Sequence, residues 1–395
     1  MIKSIQVENF KALDNVSIPF SPFTVFIGDN SAGKTTILQL ITFLKYCCDS
    51  SYSAFLGDRH LSAADICSKF GLKKTISIKT EMILDGLPYI WSFSIVRYKD
   101  GFALSNEKLV VDDRTVLYYS NGNPRSYRLN SETGEHDQIM MGVFGFSIIQ
   151  LTDEKKQAAI YPELLKVKSF FQNVEALDLL SPYNMKGGNQ KVSTEIGRGG
   201  EKLSAFVKSL SLDKRKKLAS DVKKFVEPFA SIDLKTKSYG WTYLEAKEKY
   251  GASTVSISSG NISDGILRIV AFCALQFLNN EGGAILLDEI EDGINNEHLK
   301  MLVDLLKRIQ QEKNVQIIAT THSTVLLDYW RESNEEDTDS SIIYIGRTQS
   351  GGVIAVDLFA FDSIKEKLDY MFPGEIILNM TNRDIQKIAT ARDGQ

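Results

Sequence analysis

Apolar positions change their spacing several times along this chain. Over residues 2–28, "IKSIQVENF" alternates apolar and polar from Ile2 onward and "FTVFIG" is almost wholly apolar. The two read as short strands with "LDNVSIPF" between them, followed by helical spacing in "GKTTILQLITFLKYC". From about 74 to 130 the period is two, in "TISIKTEMIL", "YIWSFSIVRY" and "RTVLYYSNGNP", with turn residues at "DGLP", "KDG" and "NGN". That pattern predicts an antiparallel meander. Between about 151 and 230 the spacing is helical, in "PELLKVKSFFQNVEAL" and "EKLSAFVKSLSLDKRKKLASDVKKFVEPF", separated by the glycine-rich "KGGNQKVSTEIGRGG".

After a short return of strand character ("TYLEAKE", "STVSIS"), helices and apolar strands alternate: helix 265–279, strand "AILLDE", helix 296–312, strand "VQIIATTHS", a helix and an acidic loop, then strand "SIIYIG". Short apolar strands between helices imply a parallel sheet covered on both faces. The expected fold is therefore α/β. Residues 1–70 and 251–395 would form a core with a mixed or parallel sheet, 71–150 an antiparallel β region, and 151–250 a helical lobe. No internal repeat or low-complexity tract is visible, and "NEEDTD" at 334–339 reads as a solvated loop.

Composition adds exclusions. The chain has 395 residues, 43% hydrophobic and 24% charged, with 46 basic against 50 acidic residues and a formal charge of −4. Nothing global points to nucleic acid, so a DNA contact would need a local patch. The nearest sequence candidate is "DKRKKLASDVKK" (213–224), whose cations spread around a helix and fit a solvated surface better than a phosphate-binding stripe. Cys47, Cys48, Cys67 and Cys273 lack metal-site spacing, and a reduced cytoplasmic setting is expected. "MIKSIQVENF" reads as a strand and not as an export signal, no apolar run approaches the length of a membrane span, and no membrane association is expected.

"GDNSAGKT", from Gly28 to Thr35, completes the phosphate-loop pattern G-x-x-x-x-G-K-[ST] between a strand and a helix. Backbone N–H groups of Gly28, Asp29, Asn30, Ser31, Ala32 and Gly33 would curl around a β-phosphate, with Thr36 following in the first helical turn. Lys34 would place a cation on the β/γ oxygens and Thr35 a hydroxyl on magnesium. ATP and Mg2+ are the implied ligands. "AILLDEIEDGIN" ends a strand in two carboxylates that alternation sends in different directions, Asp288 suited to the metal and Glu289 to the attacking water. "VQIIATTHS" brings His322 to the same edge, within reach of a γ-phosphate.

A second anion-type motif remains. "SSGNISDGILR" (258–268) is a small polar loop opening the apolar helix "IVAFCALQFL". One nucleotide cannot easily use both loops. Two subunits placed head to tail would present Ser263, Asp264 and Gly265 of each to the γ-phosphate held by the other, making ATP part of a dimer interface.

The phosphate loop, "NISDGILR", "ILLDEIEDGIN" and "TTHS", in that order, resemble the ATP-binding-cassette ATPases. The resemblance is to the branch holding RecF, the SMC-type heads and the OLD-like AAA proteins of bacterial defence loci. "IQVENFKALDNVSIPF", with Asn9, Phe10 and Lys11, resembles that branch's opening strands, and "LLSPYNMKGG" with "GGEKLSAFVKSL" resembles its helical segment. The resemblance implies that Ser263 and Gly265 are signature residues acting in trans, Glu289 the catalytic base, Glu291 to Asn295 an interface loop and His322 the switch histidine. Ile290 and Asn295 depart from the usual proline and histidine or aspartate. Gln150 and Gln172 both compete for the glutamine that couples magnesium to the lobes.

With about 70 residues after His322 and a short middle, neither the nuclease domain of OLD proteins nor a long coiled coil is expected in this sequence. The expected function is an ATP-gated switch that closes as a homodimer or higher homo-oligomer and acts through a separately encoded nuclease or toxin in anti-phage defence. The alternative is a repair or chromosome-maintenance ATPase that binds DNA directly.

Overall fold

The computed structural model describes all residues except 70–72, 100, 179, 331–338, 349–350 and 381–395. Apart from Asp339, the acidic stretch expected to be a solvated loop lies outside the described residues. In chain order the strands are β1 (Ile2–Glu8), β2 (Val16–Pro19), β3 (Phe23–Ile27), β4 (Thr75–Leu84), β5 (Leu87–Tyr98), β6 (Gly101–Val111), β7 (Arg114–Ser120), β8 (Tyr127–Leu129) and β9 (His136–Gln138). They continue as β10 (Val174–Leu177), β11 (Phe229–Thr236), β12 (Thr242–Tyr250), β13 (Ser253–Ser258), β14 (Ala284–Leu287), β15 (Gln316–Thr320), β16 (Ser340–Arg347) and β17 (Val353–Asp357).

The central sheet has the order β10-β14-β15-β3-β16-β17, parallel throughout except for β17. Strands β3, β14 and β15 are buried along their whole length. Alternate side chains explain why: Ala284, Leu286 and Ile318 join the core around helix Lys34–Asp49, whereas Ile285, Leu287 and Ile317 join the core under helices Asp264–Ala274, Leu299–Lys313 and Thr324–Trp330.

The antiparallel sheet runs β2-β1-β4-β5-β6-β7-β8-β9. Strand β4 alternates strictly between buried and half-buried positions, and the buried face packs toward the phosphate-loop helix through Trp91 and Phe171, whose rings lie 5.4 Å apart, and through Phe43. Two expected boundaries shift. Strands β1 and β2 belong to this sheet and not to the α/β core, because the alternation of "IKSIQVENF" pairs it with β4 from Ile2–Met82 to Glu8–Ser77.

The segment expected as a helical lobe is also part sheet. Its helices Pro162–Gln172, Leu203–Ser209 and Leu212–Phe225 are present, but β10 leaves it to become an edge of the central sheet. Strands β11, β12 and β13 form a separate antiparallel sheet leading into residue 259. The alternation of β11 is concealed by a register shift between Phe229 and Ser231.

Parallel register places four strand ends at one edge. Leu177 pairs with Leu287, Leu287 with Ala319, and Thr320 with Phe26. Asp178, Asp288, Thr321 and Gly28 therefore leave the sheet side by side, where an open α/β sheet binds its ligands.

Candidate nucleotide-binding site

The phosphate loop needs its glycines for space as well as for backbone freedom. Gly28 has φ 149°, and a Cβ there would fall 1.9 Å from the carbonyl oxygen of Ile345 on the adjacent strand β16. The loop is held from that strand too: Arg347 donates to the Ser31 carbonyl at 2.9 Å. Ala32 is buried and donates through its backbone to Asp29 at 3.2 Å, while Asp29 and Asn30 are exposed. Thr36 is half-buried in the first turn of the helix.

Lys34 lies inside the curl. Its ammonium donates to the carbonyls of Gly28 at 2.7 Å and Asp29 at 3.0 Å, and stands 3.5 Å from Nδ1 of His322. Burial lowers its pKa, and the surrounding carboxylates Glu289, Asp288, Asp29 and Glu291 oppose that shift. Such a pre-positioned cation can meet an anionic ligand without being drawn from bulk water.

Asp288 and Glu289 diverge as their strand ends. Asp288 accepts from Thr35 Oγ1 at 2.9 Å and from Thr320 Oγ1 at 2.5 Å. Burial raises its pKa, the two hydroxyls counter this, and the charges of Glu289 and Asp178 add to the rise. A buried carboxylate beside a threonine hydroxyl is a set of hard oxygen donors that fits Mg2+.

Glu289 has φ 46°, a left-handed conformation that costs a non-glycine residue on the order of 1 kcal/mol. Its N–H donates to Thr320 Oγ1 at 2.9 Å, strapping the turn to β15. This turn sends the side chain away from Asp288, so that Oε1 lies 3.4 Å from Nε2 of His322. Both groups remain partly open to solvent.

Glu291 faces inward, accepting from Thr321 Oγ1 at 2.8 Å and from the His322 N–H at 2.5 Å. It fixes the strand end that carries the histidine, a role distinct from the interface expected of residues 291–295. Asp292 and Gly293 of that loop pack on the second motif. A Cβ on Gly265 would lie 2.5 Å from the Gly293 carbonyl oxygen, and Arg268 donates to Asp292 at 2.7 Å.

Ser263 caps helix Asp264–Ala274 by accepting from the Ile266 N–H at 3.3 Å, and Asp264 pairs with Lys186 at 2.8 Å. Ser263 and Asp264 are exposed, and none of their described hydrogen bonds or ion pairs runs to residues 28–36.

Residues 23–328 match the family described as "AAA domain, putative AbiEii toxin, Type IV TA system". The chain belongs to this AAA family. It is also 23% identical over 350 residues to the OLD nuclease of Thermus scotoductus, covering 83% of this chain and 60% of the relative's length. Its fold resembles the SMC head in the crystal structure titled "SmcHead bound to the C-winged helix domain of ScpA". That likeness has TM-score 0.53 and 16% identity, and covers 90% of this chain and 97% of that one. The fold is that of an SMC-like ATPase head, with mixed and antiparallel sheets.

Within this AAA chain, neither expected glutamine reaches the site. Gln172 donates to Asp49 at 3.1 Å, in the last turn of the phosphate-loop helix, and Gln150 sits in a turn whose Ser147 N–H bonds Cys47 in that same region. Both lie roughly 20 Å along the helix from Thr35. The residue that leaves the neighbouring strand beside Asp288 is Asp178. Its fully buried carboxylate contacts Arg59 at 2.5 Å and forms an ion pair with Arg198 Nε at 3.1 Å. Arg198 also reaches Asp58 at 2.6 Å, and Tyr46 donates to that same Asp58 carboxylate at 2.8 Å.

Sequence reasoning missed Asp178 because β10 is four residues long and reads as the tail of a helix. The opening triplet is structural at two positions: Asn9 donates to the carbonyls of Lys73 and Thr75, and Phe10 is buried 5.5 Å from Phe43. Lys11 donates to Gln39 at 2.7 Å, with burial lowering its pKa to about 8.

Among the described residues no helix is long and apolar enough to cross a membrane.

Proposed function

We propose that this protein binds and hydrolyses ATP and uses the cycle as a switch. The observation that carries this reading is the convergence of Thr35 with Asp288 and of Glu289 with His322 around the buried ammonium of Lys34. Lys34 and the loop N–H groups hold the β- and γ-phosphates. Thr35 and Asp288 would hold Mg2+, which when bound offsets charge on the phosphate oxygens. Glu289 orients water and accepts its proton as the new bond to the γ-phosphorus forms and the bond to the bridging oxygen breaks. His322 contacts both Glu289 and Lys34, so it senses the γ-phosphate position.

Ser263, Asp264 and Gly265 complete the site of a second copy bound head to tail, which fits the exposure of Ser263 and Asp264 and the absence of described hydrogen bonds or ion pairs from them to their own phosphate loop. ATP then closes the dimer and hydrolysis opens it. The output passes to a separately encoded nuclease or toxin in anti-phage defence inside the cell. Support for that context comes from the family description and from the relative's name, OLD nuclease.

Phosphate release tests the chemistry. Glu289→Gln should lower kcat about 10²- to 10⁴-fold while ATP still binds, and Lys34→Ala should weaken ATP binding about 10- to 150-fold. Turnover unchanged in the first variant, or affinity unchanged in the second, contradicts the assignment.

A further inference from the structure

The hairpin between β11 and β12 carries a surface that the nucleotide chemistry does not use. Its loop, Lys237 to Trp241, is closed by the Lys237 N–H donating to the Trp241 carbonyl at 2.7 Å. At its tip Tyr239 has φ 59°, followed by Gly240 with φ 77°. A bulky residue in the left-handed region is strained, and here the strained backbone holds out a ring that is 91% exposed. Trp241 is 42% exposed beside it, whereas the chain's other tryptophans, Trp91 and Trp330, are fully buried.

Cations lie on the same hairpin and on the loop tied to it. Lys237 lies 4.5 Å over the Tyr243 ring, and Lys235, in register with Tyr243, pairs with Glu245 at 3.4 Å. The neighbouring loop brings exposed Lys191 alongside, because Gln190 donates to the Tyr239 carbonyl at 3.2 Å and Asn189 forms a two-way bridge with Thr242. Lys208 pins the arrangement by donating to Gln190 and Thr242. The platform is therefore a braced structure, not a loose loop.

We infer that this hairpin binds single-stranded nucleic acid, its bases stacking on Tyr239 and Trp241 and its phosphates meeting Lys191, Lys235 and Lys237. Exposed aromatics supply stacking for any base, and lysines track a backbone. A protein partner fits less well, since lysine is depleted at protein interfaces. A duplex hides its base faces and offers nothing for the rings. The inference stands apart from ATP hydrolysis and from the dimer.

The full chain reports on this directly, because Trp241 is its exposed tryptophan. Tryptophan emission should be quenched on titration with oligothymidylate or oligouridylate of about 20 nucleotides at low salt, and a duplex of equal length should quench far less. The two sugars separate DNA from RNA as the source. By anisotropy of labelled strand, Tyr239→Gly should weaken binding about 5- to 150-fold. Glycine suits that backbone, so the variant removes the ring without harming the fold. Lys235→Ala with Lys237→Ala should flatten the salt dependence by about 0.7 per lysine in log–log slope. Absence of quenching with both single strands, or affinity unaltered by Tyr239→Gly, overturns the inference; binding of neither strand would leave the platform to a protein partner.

Discussion

The Thr35 hydroxyl donates across 2.9 Å to the Asp288 carboxylate, joining the first turn of the phosphate-loop helix to a strand two places away in the sheet. The contact forms because parallel register ends both strands at one level, and because burial leaves Asp288 dependent on hydroxyl donors.

Asp288→Asn keeps the shape of this contact and removes the charge. The fold should survive while the magnesium-dependent part of ATP affinity falls at least about tenfold. Nucleotide titrations with and without Mg2+ read this; an equal magnesium effect in both proteins would remove Asp288 from the metal site.

The Arg59–Asp178–Arg198 cluster holds β10 to the helical segments around it. Removing the shared carboxylate in Asp178→Ala takes from the largely buried Arg59 guanidinium its carboxylate and leaves Arg198 with Asp58 alone, which should cost about 3–5 kcal/mol of stability. Urea denaturation checks this. A loss below about 1 kcal/mol, in the range of exposed ion pairs, would show that the cluster is not a structural tie.

Glu107 gives a pH signature. Its fully buried carboxyl is pushed up to about 7 by burial, although Ser147, the Ile148 N–H and Trp91 donate to it and oppose the rise. The folded state thus binds the proton more tightly than the unfolded chain, so this group's contribution to stability falls as pH rises from about 4.5 to about 7. The stability of the wild type relative to Glu107→Gln should therefore be greater at pH 5 than at pH 8, by a few kcal/mol. A pH-independent difference between the two would contradict it.

Much of the site was legible because its chemistry is local. The phosphate loop, the carboxylate pair after β14 and His322 after β15 each follow an apolar strand, and parallel register alone brings them to one edge. What escaped was set by tertiary context. Asp178 is buried only because β10 joins the sheet. Glu291 turns inward because Thr321 and the His322 N–H are there to meet it. Gln150 and Gln172 were plausible by residue type, but the length of the phosphate-loop helix carries both away from Thr35. Strand β11 was concealed by its bulge, and β1 and β2 read equally well as part of either sheet until β4 supplied a partner.

The central claim is that ATP joins two copies through residues exposed on each. The four native cysteines are buried, so a thiol cross-linker reaches only introduced positions. In a Glu289→Gln background, Ser31→Cys chains mixed with Ser263→Cys chains should form a covalent two-chain product with ATP and magnesium, and little without nucleotide. A product of equal yield without ATP, or none with it while ATP binding is intact, contradicts the head-to-tail dimer.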